Sequence, residues 1–483
     1  MLKIYNTITG EKEVFEPIRS GMAGMYVCGI TVYDYCHLGH ARSAIIFDVI
    51  RRYLQFRGLS VRYIRNFTDV DDKIIKRANE EKKGWQEIAD RYIEEYYKDM
   101  DMLKVYRADV EPKATEHIKD IVNMVKGIMD KGYAYKSGGD IFFSIDKFPL
   151  YGRLSHKKIK DLLAGARVEI DKNKANPLDF VLWKASKEGE PSWDSPWGRG
   201  RPGWHIECSA MSMKYLGASF DIHGGGRDLI FPHHENEIAQ SEAFSSQQFV
   251  RYWIHNGFVT IDQEKMSKSL GNFFTIREIF EKSPCLNDDV TAESLRYFLL
   301  STHYRKPIDF SDMSIEAGRN ALKNIYIMLQ KLDERKSATL TESSEIKLKV
   351  ARLTDEYRER FVKTMDDDFN TAEAIGEINI LTGEVNKIIN GLSAESADRI
   401  KKLFTELGEV LGLFKIPIEM QHFGERSHGK TNINSKEIER LIIEREMARK
   451  NRDWKKADSI RMELSEKGII LEDRPDGTTR IRR

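Results

Sequence analysis

Between Met25 and Ile64 the chain runs through a strand, a loop, a helix and a second strand. Met25-Tyr26-Val27-Cys28 is a short apolar run. Ala41, Ala44, Ile45, Val49 and Tyr53 recur at helical spacing from about His40 to Phe56, Gly58 ends the helix, and Val61-Arg62-Tyr63-Ile64 is the next strand. That order requires parallel strands joined by a right-handed crossover. It also puts the first strand's outgoing loop at the carboxyl edge of the sheet, where open α/β sheets bind their ligands.

The remaining chain reads as additions to this unit. From about Asp109 to Lys187 helical and strand-like pieces alternate, as in an inserted subdomain, and Gly189 to Trp204 is a loop rich in Pro, Gly and Trp. Strand-like runs return at Phe220-Asp221-Ile222-His223 and at Phe258-Val259-Thr260-Ile261, which reads as completion of the sheet. Beyond about Thr291 the spacing turns helical, through Leu322, Ile325, Met328 and Leu329 and then from Ile375 to Leu413. Lys336 to Ser344 and Gln421 to Ser435 read as polar linkers. Lys436 to Arg483 reads as two amphipathic helices, about Lys436 to Lys450 and Trp454 to Lys467, and a hairpin turning at Asp476-Gly477. The expected fold is α/β: a Rossmann-like parallel-sheet domain over residues 1–300 with an insertion at about 109–200, an α-helical bundle over 301–420, and a small α+β module over 436–483.

A length of 483 residues suits about three domains. Hydrophobic residues at 41% and charged residues at 32% describe a soluble globular protein. No apolar run reaches the roughly 18 residues that span a bilayer, and the first residues lack an apolar leader, so the cytoplasm is expected. A net charge of +1 neither requires nor excludes a nucleic-acid partner. The four cysteines, Cys28, Cys36, Cys208 and Cys285, are too scattered for a disulfide scaffold, so each is a packing residue or a thiolate with a role.

Two motifs carry nucleotide chemistry. His37-Leu38-Gly39-His40 sits where the first loop enters its helix, and the two histidines, three apart, face one side of a helix N-terminus that already attracts phosphate. Gly39 leaves room for a base or ribose to approach. Lys265-Met266-Ser267-Lys268-Ser269, followed by Leu270-Gly271, suits a loop that places ammonium groups on a triphosphate. Either motif alone is ordinary. Their pairing, one in the first βαβ unit and one after the last strand, matches the class I aminoacyl-tRNA synthetases.

A third constellation points to a metal. Cys28 closes the first strand, Cys208 ends Gly203-Trp204-His205-Ile206-Glu207-Cys208, and Pro232 opens a helix bearing His233, His234 and Glu237. His233 lies at i,i+4 and His234 at i,i+3 from Glu237, and spacing allows either. Two thiolates, an imidazole and a carboxylate form a plausible zinc set. Cys36 and Cys285 have no ligand-like neighbours and read as packing residues.

Cys28, the run ending at Cys208, His223-Gly224-Gly225-Gly226-Arg227-Asp228-Leu229, the stretch from Pro232 to Ala243 and the stretch from Lys265 to Asn272 together resemble the cysteinyl-tRNA synthetase family, and the likeness extends over nearly the whole chain. The resemblance implies that Cys28, Cys208, His233 and Glu237 bind one Zn2+. It implies that His37, His40, Lys265 and Lys268 act on ATP, with Gly39 beside it and Mg2+ accompanying the nucleotide. Gly29, Thr68 and Trp204 are expected around the cysteine pocket, and His223 with Gly224-Gly225-Gly226 and Asp228 at the border of the nucleotide. The partners implied are L-cysteine, ATP and tRNA(Cys), with no membrane, and the chain is expected to be a monomer. The bundle would then contact the tRNA stem and the last module its anticodon; Arg480 stands there where the family often has tryptophan. Relatives of the family join cysteine to an amino sugar instead, but they need no anticodon-binding region, and the long segment after Thr291 argues for tRNA.

Overall fold

The computed structural model describes residues 1–157, 172–261, 264–265, 274–282, 288–335, 342–416, 435–450, 453–466, 470–473 and 479–482. The motif residues Met266 to Asn272, the expected linkers and the Asp476-Gly477 turn fall wholly or largely outside that range, as does Cys285. The described chain divides into two compact units, Met1–Arg277 with Glu293–Lys415, and Glu278–Ala292 with Ile416–Arg483.

The first unit is built on four parallel strands. We number them β1 (Met22–Thr31), β2 (Ser60–Thr68), β3 (Phe220–Gly226) and β4 (Val250–Asn256). Their order across the sheet is β4, β3, β1, β2. The chain leaves β1 toward one side and returns on the other, so the direction of winding reverses beside β1, where a doubly wound sheet opens a crevice. Helix α1 (Leu38–Phe56) makes the first crossover; His37 is its N-cap. Helices α2 (Trp204–Leu216) and α3 (Glu235–Ser245) follow the insertion.

One expectation requires correction. The run Phe258–Ile261 does not complete the sheet. That place belongs to β4, while Val259–Ile261 pairs with Glu264–Lys265 and Ile308–Phe310 in a separate three-stranded sheet. Val250-Arg251-Tyr252-Trp253-Ile254-His255-Asn256 lacks alternation because it is buried almost throughout, polar residues included. A second difference is local. Helix α3 begins at Glu235, three residues after Pro232, because Phe231 takes an extended conformation and breaks the turn ahead of it.

Side-chain alternation sorts the two faces of the sheet. Gly224 and Gly225 show which layer lies where. A Cβ on Gly224 would strike the Phe47 ring of α1 at 2.2 Å, and one on Gly225 would meet the His234 ring at 2.9 Å. Tyr26, Cys28 and Ile64 belong to the second face. They pack with Ile206, Cys208 and Met211 of α2 and with Ile238 and Ala239 of α3. The inserted segment adds to the same core through Ile121, Met124, Val125 and Ile128 of its helix Ile118–Asp130 and through a four-stranded antiparallel sheet over Ala134–Pro202.

Four long helices follow, Asp312–Glu334, Ser344–Met365, Thr371–Ile388 and Ala394–Leu411. Helix α1 is tied to them directly. Buried Asp48 accepts from Arg52 Nε at 2.9 Å and from Arg296, while Arg296 Nε donates to Leu411 O at 2.6 Å. Further along, Tyr53 Oη donates to Asp366 at 2.8 Å. The second unit contains the helix pair Ser435–Lys450 and Trp454–Glu466, closed over Leu441, Ile460 and Leu464, and an antiparallel hairpin pairing Asp473 with Thr479.

Glu293 latches the end of the helical segment. Its carboxylate accepts from Lys415 N at 2.6 Å, Phe414 N at 3.2 Å and Tyr326 Oη at 2.9 Å. Burial outweighs these donors and raises its pKa from 4.5 to about 7. The neutral acid is therefore the form that the fold favours. Stability from this group is fully present below pH 4.5 and is lost as pH rises through about 7. Urea denaturation should show this loss, of about 3 kcal/mol, and Glu293→Gln should flatten that part of the profile; an unchanged profile in the variant would contradict it.

Candidate metal centre and nucleotide site

Cys28 lies near the carboxyl end of β1, on the face covered by α2 and α3. Cys208 on α2 and Glu237 on α3 both reach it. Cys28 Sγ is 3.6 Å from Cys208 Sγ and 3.2 Å from Glu237 Oε1, and His233 Nε2 is 3.1 Å from the same Glu237 oxygen. All four ligand atoms lie within 4.8 Å of one another, and all four residues are buried. The structure thus gathers side chains up to 209 residues apart into a possible Cys/His/Glu metal site.

The electrostatics of this cluster call for positive charge. Cys208 is held down to about 6, chiefly by the hydrogen bond from Cys28 and further by His233, whereas burial pushes Cys28 up. Burial acts against charge on His233 and Glu237 as well. It is overcome for His233, raised to about 10 by Cys208 and Glu237, and for Glu237, lowered to about 2 by His223 and His233. The two anionic donors hold a proton on the His233 imidazole, and a divalent ion that displaces this proton would take its place among the same ligand atoms.

A second layer orients the first. His223 Nε2 meets Glu237 Oε2 at 2.8 Å, and His205 Nδ1 meets His233 Nδ1 at 2.8 Å. Burial keeps His205 neutral, so its Nδ1 accepts from His233 Nδ1–H and Nε2 is the His233 nitrogen that would ligate. His234 is engaged elsewhere: its Nδ1 contacts His255 Nε2 at 2.8 Å, and His255 continues to Thr7 at 2.8 Å. Cys28, His223, His234 and Glu237 form a second, overlapping set of potential donors that shares two members with the first. It holds one sulfur instead of two, and His223 already serves Glu237.

Neighbouring residues shape the pocket. Gly29 lies within the register shift between Val27 and Ile30 of β1, and a Cβ there would fall 1.5 Å from Asn66 O, so only glycine allows β1 and β2 to approach. Asn66 Oδ1 receives Gly29 N at 2.9 Å. The Trp204 ring lies 4.2 Å from that of His233 and is 40% exposed, which makes it an outer wall. Thr68 is buried and donates to Glu207, next to Cys208, at 3.0 Å. His223 is fully buried and turned toward Glu237, not outward along a nucleotide border; Asp228 is exposed.

At the N-terminus of α1, on the other layer, the His37 and His40 rings stack at 3.7 Å. His37 Nδ1 accepts from Gly39 N at 3.0 Å, and His40 Nδ1 from His37 N at 3.3 Å. Each ring therefore carries its proton on Nε2 and presents a donor beside the helix's own N–H groups. The segment Phe274–Ile276 runs against this entry, with Leu38 N donating to Phe274 O and Ile276 N to Cys36 O. Lys265 ends the strand Glu264–Lys265. Lys268 lies outside the described residues.

The order of the sheet, the stacked histidine pair at a helix entry beside its switch point, and the buried cluster on the opposite layer define a class I aminoacyl-tRNA synthetase. The model of the family of tRNA synthetases class I (C) catalytic domains matches residues 14–320, that of the DALR domain 360–415, and that of the cysteinyl-tRNA ligase anticodon binding domain 434–482. The fold is shared with the methionyl-tRNA synthetase of Mycobacterium tuberculosis in complex with methionyl-adenylate, at a TM-score of 0.58 and 16% identity over 81% of this chain and 89% of that one. It is shared too with the LeuRS of Agrobacterium radiobacter, at a TM-score of 0.59 and 12% identity over 82% and 85%. Cysteine–tRNA ligases of Thermodesulfovibrio yellowstonii and Trichlorobacter lovleyi are 51% and 52% identical to the chain, each over 99% of both sequences. The chain belongs to the cysteine–tRNA ligase family. Among the described residues, no helix is long and apolar enough to cross a membrane.

Of the residues around the cluster, His205, His255 and Asn66 are not legible as site residues, and only the nearness of His205 to Cys208 hints at one of them; His234, which spacing allows as a ligand, is turned to His255 instead. Their roles can be separated by substitution. Cys208→Ala should abolish tight binding of a divalent ion, and His223→Ala should weaken it by about 10–100-fold, as read by competition with a chromophoric chelator. Parental affinity in His223→Ala would show that Glu237 needs no such support.

Proposed function

We propose that the chain activates L-cysteine with ATP and transfers the cysteinyl group to the 3' end of tRNA(Cys) in the cytoplasm, as a monomer. The observation that carries this reading is the convergence of Cys28, Cys208, His233 and Glu237 at the carboxyl edge of the sheet. These four residues would hold one Zn2+. Bound zinc supplies discrimination, because it takes a thiol far more readily than the nearly isosteric alcohol of serine. Shape alone separates such pairs poorly.

In the first step the cysteine carboxylate attacks the α-phosphorus of ATP, forming cysteinyl-adenylate and releasing pyrophosphate. In the second, a terminal ribose hydroxyl of tRNA attacks the adenylate carbonyl and AMP leaves. Catalysis is positioning and stabilisation of charge at phosphorus. His37 and His40 donate from Nε2, Gly39 leaves the nucleotide room, and Lys265 and Lys268 supply ammonium groups; Mg2+ accompanies ATP. Trp204, Gly29 and Thr68 border the amino acid. The helical segment of residues 301–420 would contact the tRNA stem, and residues 436–483 the anticodon.

ATP–pyrophosphate exchange tested with each of the twenty amino acids checks this. Cysteine alone should support exchange, a zinc chelator should suppress it, and Lys268→Ala should lower it by about 10²–10³-fold. Exchange with serine approaching that with cysteine would refute the role given to the metal.

A further inference from the structure

Arg42 lies two residues beyond His40 on α1, and its side chain is fully buried. No carboxylate among the described residues pairs with it. Its guanidinium instead gathers backbone carbonyls: Nη1 donates to Phe258 O at 2.6 Å, and Nη2 to Tyr304 O at 3.3 Å and to Lys306 O. Nε is buried without a partner. Burial lowers its pKa to about 10, which leaves it cationic at neutral pH. A buried charge answered only by carbonyl dipoles is costly, so its position is set by those carbonyls. The planar fork of arginine holds three acceptors from two segments at once, which a lysine's single ammonium does not reproduce.

Those two segments are the root of the strand pair that carries Lys265. Phe258 O also receives Ile308 N at 3.0 Å, and Tyr304 O receives Gly257 N at 2.8 Å. Immediately beyond, Val259–Ile261 pairs antiparallel with Glu264–Lys265 and parallel with Ile308–Phe310. On the far side of the motif, Leu38 N donates to Phe274 O and Ile276 N to Cys36 O. On the near side, the side chain of Arg42 supplies a tie.

We propose that Arg42 is a positioning residue for cysteine activation: it holds the strand pair bearing Lys265 at a fixed offset from His37 and His40, which stand on the same helix. The inference rests on the reading of those histidines and Lys265 as the groups that act on ATP.

The test is cysteine-dependent ATP–pyrophosphate exchange by the full-length, metal-loaded chain and its variants Arg42→Lys, Lys265→Ala and the double substitution, with Arg42→Gln as a second replacement of the fork. Arg42→Lys should lower kcat by on the order of 10²-fold, the loss expected from misplacing a catalytic group by about 1 Å. Its KM for cysteine should stay within about twofold of the parent. The double variant should be no slower than the slower single one, because Arg42 acts through Lys265. Arg42→Lys or Arg42→Gln at the parental rate, or losses that multiply in the double variant, would overturn the inference and leave the reading of the site intact. A defect accompanied by loss of metal and of cysteine affinity would mark Arg42 as a general packing residue and overturn it too. Lys265→Ala at the parental rate would instead overturn the reading of the site, and the inference with it.

Discussion

A carboxylate taken out of water sets the terms for the Cys/His/Glu cluster. Glu237 is completely buried, and each of its oxygens has its own company, Cys28 and His233 on one side and His223 on the other. An uncompensated charge in that position would cost several kcal/mol. The surrounding imidazoles compensate it so well that the acid stays at about 2 despite its burial. This requirement reaches into the sheet. His223 faces Glu237 only because β3 places it on the layer shared with α3, and the two glycines that follow leave room for Phe47 on one face and His234 on the other.

Much of this was visible in the chain itself, and the exceptions have a common cause. The βαβ unit from Met25 to Ile64 is legible because apolar residues recur at helical spacing between two apolar strands. β4 is not, since Arg251, His255 and Asn256 interrupt the apolar run that marks a buried strand. His255 is there to meet His234, 21 residues away, and no local pattern encodes a partner at that distance. The same holds for His233 and His234. Spacing relative to Glu237 treats them alike; they differ only in what lies across from each, the thiols and His205 in one case and His255 in the other. Gly29 shows the opposite limit. The residue is evident in the sequence, but the reason for it, the Asn66 carbonyl 1.5 Å from any added Cβ, exists only once β1 and β2 are paired.

Helix α1 connects regions whose sequences show no sign of contact. Its first residue is capped by His37, its middle binds the helical segment through Asp48, Arg52 and Arg296, and its end reaches Asp366 through Tyr53. Asp48 with its two arginines is a buried charge cluster, and removing one member would strand the others at a cost of about 3–5 kcal/mol. Such a node is weak evidence for net stability but strong evidence for a defined geometry. It permits one relative placement of the catalytic sheet and the helices that follow it, because a displaced guanidinium would lose Leu411 O and Asp48 together.

The two layers of the sheet carry unlike groups. Cys28 projects from β1 toward α2 and α3, where sulfur and nitrogen donors are assembled in a buried cluster. The histidine pair approaches the same carboxyl edge from α1, on the opposite layer, where a helix N-terminus and two Nε2–H groups suit phosphate. Neither environment tolerates the other's content. A triphosphate beside Glu237 would meet like charge, and a thiol among the α1 donors would find no soft partner. A substrate with an amino acid at one end and a reacting phosphate at the other needs both within a few ångströms of each other. The end of one strand at a switch point is where a parallel sheet supplies two such unlike surfaces side by side.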